Sequence, residues 1–205
     1  MSDPLRLAVM ISGEGTGLQN LIERIADGRL QGVEIVLVIS SRADAAGVDR
    51  ADRAGLTTRI IRASDFPDTE AFSAAIAESL DDSEVDIAVQ AGWLCYWKLP
   101  ERWLGRAINV HPALLPKYGG KGFYGRRVHE AVLSAGDKES GATVHWVDNE
   151  YDHGAIIDQR ACAVEPNDTP DTLAARVRAI EFDLLPLAIS TITARGCGKG
   201  AIEKA

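Results

Sequence analysis

The length and composition of the chain limit the classes of protein to which it can belong. Its 205 residues are 46% hydrophobic and 25% charged, which is typical of one globular domain with a substantial core. The net charge of −8 excludes the basic surface that a nucleic-acid-binding protein normally presents. Small-molecule substrates or protein partners are therefore expected.

The cysteines and the N-terminus indicate an intracellular protein. Cys95, Cys162 and Cys197 have neither CxxC nor zinc-type spacing, and an odd number of separated thiols suits a reducing compartment. The first residues lack a signal-peptide pattern, and no apolar run approaches the roughly 20 residues of a membrane span. We expect a cytoplasmic protein with no metal site and no membrane partner, and a homodimer is left open.

Short apolar segments alternate with longer amphipathic segments in the first half of the chain. The pattern predicts strands at 7–11, 33–39, 58–61, 85–90 and 107–110, with helices at 16–28, 44–55 and 68–80. Several strand segments are nearly continuous hydrophobic runs, as buried parallel strands are. An α/β fold with a doubly wound, mostly parallel, Rossmann-like sheet is predicted.

The second half of the chain has a different pattern. A helix is predicted at 124–135, followed by strands at 143–147 and 155–164 that an acidic loop connects. These two strands could pair as a hairpin and give the sheet a mixed edge. A final helix at 170–195, bent at Pro186, precedes a flexible tail at 196–205. Because the sequence contains no repeat or linker, residues 1–205 are expected to form a single domain.

A glycine-rich segment, Ser-Gly-Glu-Gly-Thr-Gly at 12–17, joins the first predicted strand to a helix. Glycines allow the backbone to approach a ligand closely, and free N–H groups at a helix N-terminus favour an anion. The spacing matches neither the dinucleotide fingerprint nor the Walker A motif. One interpretation is a phosphate site at Gly13, Gly15, Thr16 and Gly17. The other is a tight turn in which Thr16 caps the helix. Glu14 has to point outward if phosphate binds, because like charges repel.

Asn109 and His111 lie two residues apart at the end of an apolar segment. In a strand their side chains point to the same side, and Pro112 ends the strand because it has no N–H for a ladder. An amide donor and a proton carrier at the C-terminal end of a strand form a common type of α/β active site. The alternative is an Asn-x-His that caps a turn. All four histidines fall between 111 and 153, together with Asp152.

Three segments, 11–19, 108–118 and 141–154, together resemble the phosphoribosylglycinamide formyltransferases, a family of folate-dependent enzymes. The resemblance extends over residues 6–190 in matching order. The Asn-x-His-Pro segment with the later Val-His-x-Val and Asp-x-Gly is similar to the wider formyltransferase superfamily. Within it, the N-terminal loop points to the enzymes that act on glycinamide ribonucleotide.

The resemblance implies a reaction and roles for the residues that match. The amine of glycinamide ribonucleotide attacks the formyl carbon of 10-formyltetrahydrofolate, and a tetrahedral intermediate collapses to formylated product and tetrahydrofolate. By the same match Asn109 stabilises the oxyanion, and His111 and Asp152 share the proton transfers. The alternative for Asp152 is a solvated acidic residue in a loop. His145 lies behind the catalytic pair in the family, and its alternative is a buried, hydrogen-bonded core histidine.

The resemblance also implies substrate contacts. Glu181 aligns with an acid that binds the ribose or amine side of the substrate, and the alternative is an exposed helical glutamate. The folate pocket is expected to involve the five consecutive residues Trp93, Leu94, Cys95, Tyr96 and Trp97. The segment 117–125 could be a lid over the site or a plain flexible loop.

Other functions with related chemistry remain open. A formyltetrahydrofolate deformylase uses the same side chains with water as acceptor, and a sugar-nucleotide formyltransferase also formylates an amine. A degenerate, non-catalytic ligand-binding relative is a further alternative. A methionyl-tRNA formyltransferase is disfavoured by the length and the negative charge, because tRNA binding requires a basic surface.

Overall fold

The computed structural model describes residues 3–195, and the tail predicted at 196–205 lies outside the described residues. The strands and α-helices of the described part are β1 Leu5–Ile11, α1 Thr16–Ala26, β2 Val33–Ser40, α2 Ala46–Arg53, β3 Thr58–Ile60, α3 Thr69–Asp82, β4 Ile87–Gln90, β5 Ala107–His111, α4 Arg126–Ala135, β6 Glu139–Trp146, β7 Ile156–Ala163 and α5 Pro170–Ala194. Every predicted element is present. The largest difference in a boundary is the start of β6, which begins at Glu139 rather than at 143.

The strands follow the order β3-β2-β1-β4-β5-β6-β7 in one sheet. The order runs outward from β1, first to β2 and β3 and then to β4 and β5, which is the property that defines a doubly wound sheet. β1 pairs in parallel with β2 and β4, and β2 pairs in parallel with β3. β6 and β7 are antiparallel, so the predicted hairpin and mixed edge are confirmed.

The described residues fall into two compact units, of which the first comprises 3–108 and 189–195. Its centre is β1, in which residues 7–11 are completely buried, as expected for a central parallel strand. In α1, Leu18 and Leu21 are buried on the stripe that the spacing predicted. Burying one such leucine contributes about 2 kcal/mol to folding.

The second unit comprises residues 109–188. The Thr143 hydroxyl of β6 donates to the Ala113 carbonyl at 2.6 Å and accepts the Leu115 N–H at 3.2 Å. These bonds hold the segment that follows β5 against the hairpin, because each satisfies a buried polar group. The final helix α5 continues through Pro186 to Ala194, and the bend expected at Pro186 stays a prediction.

Among residues 3–195, no helix is both long enough and apolar enough to cross a membrane.

Candidate active site

The end of β5 brings two predicted side chains to one carboxylate. Asn109 Nδ2 lies 3.4 Å from Asp152 Oδ1, and His111 Nδ1 lies 3.5 Å from the same oxygen. The side chains of His111 and Asp152 are only 5% and 11% exposed. Asp152 is therefore not a solvated loop acid, and all three side chains lie together within the second unit.

The hydrogen bonds of His111 determine which ring nitrogen carries its hydrogen. His111 Nε2 is 2.8 Å from the Tyr118 carbonyl oxygen, and because a carbonyl can only accept, Nε2 is the donor. Burial lowers the pKa of His111, although the Asp152 carboxylate opposes this effect. The ring is therefore neutral near pH 7. Its free Nδ1 lone pair faces Asp152 and can accept a proton.

The environment of Asp152 keeps its carboxylate ionised. Burial alone would raise its pKa, but the pKa is lowered overall, and the hydrogen bond from the Gly120 N–H to the carboxylate contributes to this effect. The Gly120 N–H donates to Asp152 Oδ2 at 2.9 Å. Asp152 has a left-handed φ of 53°, an unusual backbone conformation for a residue with a side chain. Such conformations are concentrated at functional sites.

His145 is buried and orients the amide of Asn109. Its Nδ1 donates to the Trp146 carbonyl oxygen at 2.8 Å, which leaves Nε2 as an acceptor in the neutral ring. Asn109 Nδ2 lies 3.2 Å from that Nε2, so the NH₂ group of Asn109 points toward His145. Both parts of the prediction for His145 agree with this geometry, because the ring is a hydrogen-bonded core histidine that also supports Asn109.

The glycine-rich loop lies in the first unit and leads into α1. The N-cap is Gly15, with a left-handed φ of 64°, and no side chain caps the helix. The alternative in which Thr16 caps the helix is therefore wrong, because Thr16 is the first residue of α1. Gly17 follows within the helix, and no acidic side chain lies in the first turn. The N–H groups at this end are available to an anion.

The surroundings of the loop leave no room for a side chain at one of its glycines. A Cβ at Gly15 would lie 2.5 Å from Gly47 Cα, whereas a Cβ at Gly13 would meet nothing within 4 Å. Glu14 is exposed, as the phosphate interpretation requires, and its carbonyl accepts the Arg50 Nε–H at 2.8 Å. The loop is thus held against α2 through its own backbone carbonyls, which accept from the Arg50 side chain and from the Gly47 N–H, rather than through the Glu14 carboxylate.

Ser12 connects the glycine-rich loop to the predicted folate segment, a link that the sequence did not indicate. Its hydroxyl accepts the Leu94 N–H at 2.9 Å and bonds to the Ser41 hydroxyl at 2.7 Å. The Ser12 N–H donates to the Gly92 carbonyl at 3.0 Å. The ends of β1, β2 and β4 are therefore joined around one buried serine.

The five residues of the folate segment divide into two groups by exposure. Trp93 and Trp97 are buried, and Trp93 stacks on Phe72 while Trp97 Nε1 donates to the Ser73 carbonyl at 3.3 Å. The Leu94 side chain is 59% exposed, and Cys95 and Tyr96 are half-buried. The two tryptophans anchor the segment to α3, and the three residues between them face outward to different extents.

Glu181 lies on α5 in the second unit and is half-buried. Burial raises the pKa of its carboxyl to about 7, although the positive charge of Arg178 opposes the shift. The alternative of an exposed helical glutamate is therefore wrong. A carboxyl group in such surroundings is a candidate for binding or proton transfer.

The remaining two histidines are outside this arrangement. His129 on α4 is buried, its Nδ1 has no hydrogen-bond partner among the described residues, and burial lowers its pKa. His153 is exposed and pairs with Asp148 at 2.8 Å. In the part of the chain that the structure describes, no three His, Cys, Asp or Glu side chains are grouped so as to hold a metal ion.

The model of the formyl transferase family matches residues 5–189, so the chain belongs to that family.

Two of the similar proteins differ greatly in the share of their own length that the chain covers. The chain is 37% identical over 190 residues to phosphoribosylglycinamide formyltransferase of Haemophilus influenzae, covering 92% of this chain and 87% of that protein. It is 41% identical over 191 residues to the trifunctional purine biosynthetic protein adenosine-3 of Drosophila pseudoobscura pseudoobscura, of which it spans only 14% while 91% of this chain is covered.

A solved structure is also similar. Glycinamide ribonucleotide transformylase 1 from Symbiobacterium toebii superimposes with a TM-score of 0.88 and 35% sequence identity, covering 99% of this chain and 92% of that one. The resemblance that the motifs indicated, and the fold that they predicted, are both confirmed.

Proposed function

We propose that the protein is a phosphoribosylglycinamide formyltransferase. It transfers the formyl group of 10-formyltetrahydrofolate to the amine of glycinamide ribonucleotide, a step of purine biosynthesis. The observation that carries the proposal is the convergence of Asn109 and His111 on Asp152 Oδ1. The similar bacterial enzyme with this name, of which the chain covers 87%, supports the choice of substrate.

The proposal gives each of the three side chains a task, and their geometry supports it. Attack by the amine places negative charge on the formyl oxygen and positive charge on the attacking nitrogen. One hydrogen of the Asn109 NH₂ group is bonded to His145 Nε2 at 3.2 Å, and the other makes only a long contact of 3.4 Å with Asp152 Oδ1. We assign this second hydrogen to the formyl oxygen, and one such donor stabilises the transition state by roughly 3–4 kcal/mol. His145 fixes the direction of that NH₂ group.

The proton of the attacking amine is the second requirement. The free Nδ1 of neutral His111 accepts it, and the protonated ring then donates to the Asp152 carboxylate that is already 3.5 Å away. The same proton can afterwards move to the departing nitrogen of the folate. Proton transfer by a positioned group contributes about 10² to 10⁴ in rate.

The uncapped N-terminus of α1 is assigned to the phosphate of the nucleotide, with the backbone of Gly13, Gly15, Thr16 and Gly17 as donors. The folate is assigned to the segment 93–97, in which two buried tryptophans fix an irregular backbone. Glu181 is assigned to the ribose or amine side of the substrate.

The organisation of the whole chain is also part of the proposal. A single family model that matches residues 5–189 supports one formyltransferase domain in residues 1–205. The widely spaced cysteines support a cytoplasmic location. A homodimer stays a prediction.

The test is an absorbance assay for tetrahydrofolate formation with and without glycinamide ribonucleotide. Product that requires the amine supports the transferase, whereas equal product without it identifies a deformylase. Absence of product in both arms contradicts the proposal and leaves a sugar-nucleotide formyltransferase or a non-catalytic ligand-binding protein. A parallel binding measurement compares the substrate with its dephosphorylated nucleoside. Equal affinities for the two compounds would contradict the phosphate site at α1.

A further inference from the structure

Tyr118 has a backbone conformation that a tyrosine rarely adopts. Its φ is 58°, in the left-handed region where a side chain crowds the backbone. Residues persist in this region only when the surrounding structure holds them there, and they are concentrated at functional sites. The contacts of Tyr118 therefore indicate what this conformation achieves.

The side chain of Tyr118 is held by Asp137, the residue that follows Gly136 at the end of α4. The Tyr118 hydroxyl donates to Asp137 Oδ2 at 2.7 Å, and Lys117 Nζ donates to Asp137 Oδ1 at 2.7 Å. Burial and the adjacent carboxylate raise the pKa of the Tyr118 phenol, so it remains a donor. The hydrogen bond from Lys117 lowers the pKa of Asp137, so it remains an acceptor.

The backbone of the same segment reaches both members of the proposed proton-transfer pair. The Tyr118 carbonyl accepts the His111 Nε2–H at 2.8 Å, and the Gly120 N–H donates to Asp152 Oδ2 at 2.9 Å. Gly119 lies between them, where a Cβ would be 2.6 Å from Leu115 Cδ2 and 3.2 Å from Asp152 Cβ. The segment is therefore packed directly against the pair.

Two acceptors compete for the single hydrogen of neutral His111. The Tyr118 carbonyl faces Nε2 at 2.8 Å, and the Asp152 carboxylate faces Nδ1 at 3.5 Å. If the carbonyl turned away, the negatively charged carboxylate would draw the hydrogen to Nδ1. The ring would then present no free nitrogen toward Asp152, and the attacking amine would lose its proton acceptor.

We propose that Asp137 and Tyr118 are positioning residues that keep the hydrogen of His111 on Nε2. Asp137 acts through the phenol of Tyr118, and Tyr118 acts through its own carbonyl. The importance of this tautomer for catalysis rests on the proposed function. The tautomer itself is a property of the protein without substrate.

The test combines nuclear magnetic resonance of the ¹⁵N-labelled ring with steady-state kinetics. Spectra at pH 8, where His111 is neutral, are recorded for the wild type, Tyr118→Phe and Asp137→Asn, and His111→Gln identifies the signals. The wild type is expected to carry its hydrogen on Nε2, and both variants are expected to populate the Nδ1–H form. In both variants we expect kcat to fall about tenfold or more while both KM values stay within about twofold, as a wrong tautomer removes catalysis without removing binding.

The matched control is Tyr124→Phe, which removes a phenol from an exposed tyrosine beside Arg127. This variant is expected to keep the wild-type tautomer and kcat. A wild-type tautomer in both Tyr118→Phe and Asp137→Asn would overturn the proposal, even if their unfolding midpoints fell. If the wild type transfers no formyl group, the proposed function fails, and the spectra still decide the role of Asp137 and Tyr118.

Discussion

At the scale of single residues, the candidate site is organised around the carboxylate of Asp152. Asn109 and His111 approach one of its oxygens, and the Gly120 N–H donates to the other. His145 Nε2 contacts the side-chain amide of Asn109. Because each of these groups limits the orientation of the next, the amide donor and the proton acceptor are preorganised before substrate binds.

Asn109→Ala is expected to lower kcat by about 10² or more, because it removes a donor to the developing oxyanion. The measurement is turnover in the absorbance assay, with the folded state checked by circular dichroism. The control is Asn167→Ala, which removes an exposed asparagine from the loop before α5. If Asn109→Ala turned over at a rate close to that of the wild type, Asn109 would not be the oxyanion donor.

The pH dependence of activity follows from the lowered pKa of His111. In the proposed mechanism activity requires the neutral ring, so kcat/KM is expected to fall as the pH drops through an apparent pKa below 6.5, the usual value for histidine. Asp152→Asn removes the negative charge that favours the protonated ring and is expected to move this acid limb to still lower pH. The measurement is the pH–rate profile of both proteins. An acid limb that moved upward in the variant would contradict the assignment.

At the scale of elements, the function depends on how strands end and helices begin. β5 ends at His111 because Pro112 follows, and α1 begins at a glycine in a left-handed conformation without a side-chain cap. Residues after β1 and β4 are joined through Ser12. In a doubly wound sheet the ends of the parallel strands are the usual place for ligands.

Gly15→Ala is expected to lower the free energy of unfolding by about 2 kcal/mol or more, because a Cβ is disfavoured at positive φ and would clash with Gly47. It is also expected to weaken binding of glycinamide ribonucleotide by displacing the first N–H groups of α1. Urea unfolding and a titration with substrate measure the two effects. Gly13→Ala is the matched control, and its free energy of unfolding is expected to stay within about 0.5 kcal/mol of the wild type. Equal stability of the two variants would contradict the steric argument.

At the scale of the whole molecule, the ionised carboxylate of Glu181 lowers the free energy of unfolding, whereas the proposed function uses this side chain to bind substrate. A carboxyl whose pKa is about 7 in the folded protein, against a usual 4.5, binds its proton more tightly when folded than when unfolded. Stability therefore falls as the pH rises from about 4.5 to 7, and the full loss is present above that range. Strongly shifted pKa values are concentrated at functional sites, which agrees with the substrate-binding role proposed for Glu181.

Glu181→Gln is expected to raise the free energy of unfolding at pH 8 by roughly 2 kcal/mol, somewhat less than the full shift implies because the side chain is partly exposed. At pH 4.5 or below the two proteins are expected to be nearly equally stable, since the wild-type carboxyl is then neutral in the folded protein. Urea unfolding at both pH values measures the difference. If the variant were no more stable at pH 8, the raised pKa would be contradicted.

The sequence by itself determined the order of the elements, the hairpin of β6 and β7, and the fold class, because hydrophobic periodicity and turn residues act locally. It also placed Asn109 and His111 on one side of a strand, since alternate side chains of a strand share a face. The match of its motifs to a family added Asp152, which is 41 positions beyond His111 in the chain.

Only the tertiary structure decided how these residues act. The tautomer of His111 depends on the Tyr118 carbonyl, the direction of the Asn109 amide depends on His145, and the burial of Glu181 depends on what packs around α5. The hydrogen bond from the Tyr118 hydroxyl to Asp137 joins residues 19 positions apart, and no pattern in the sequence indicates it. Hydrogen-bond direction and desolvation arise from contacts between segments distant in the chain, so local periodicity does not encode them.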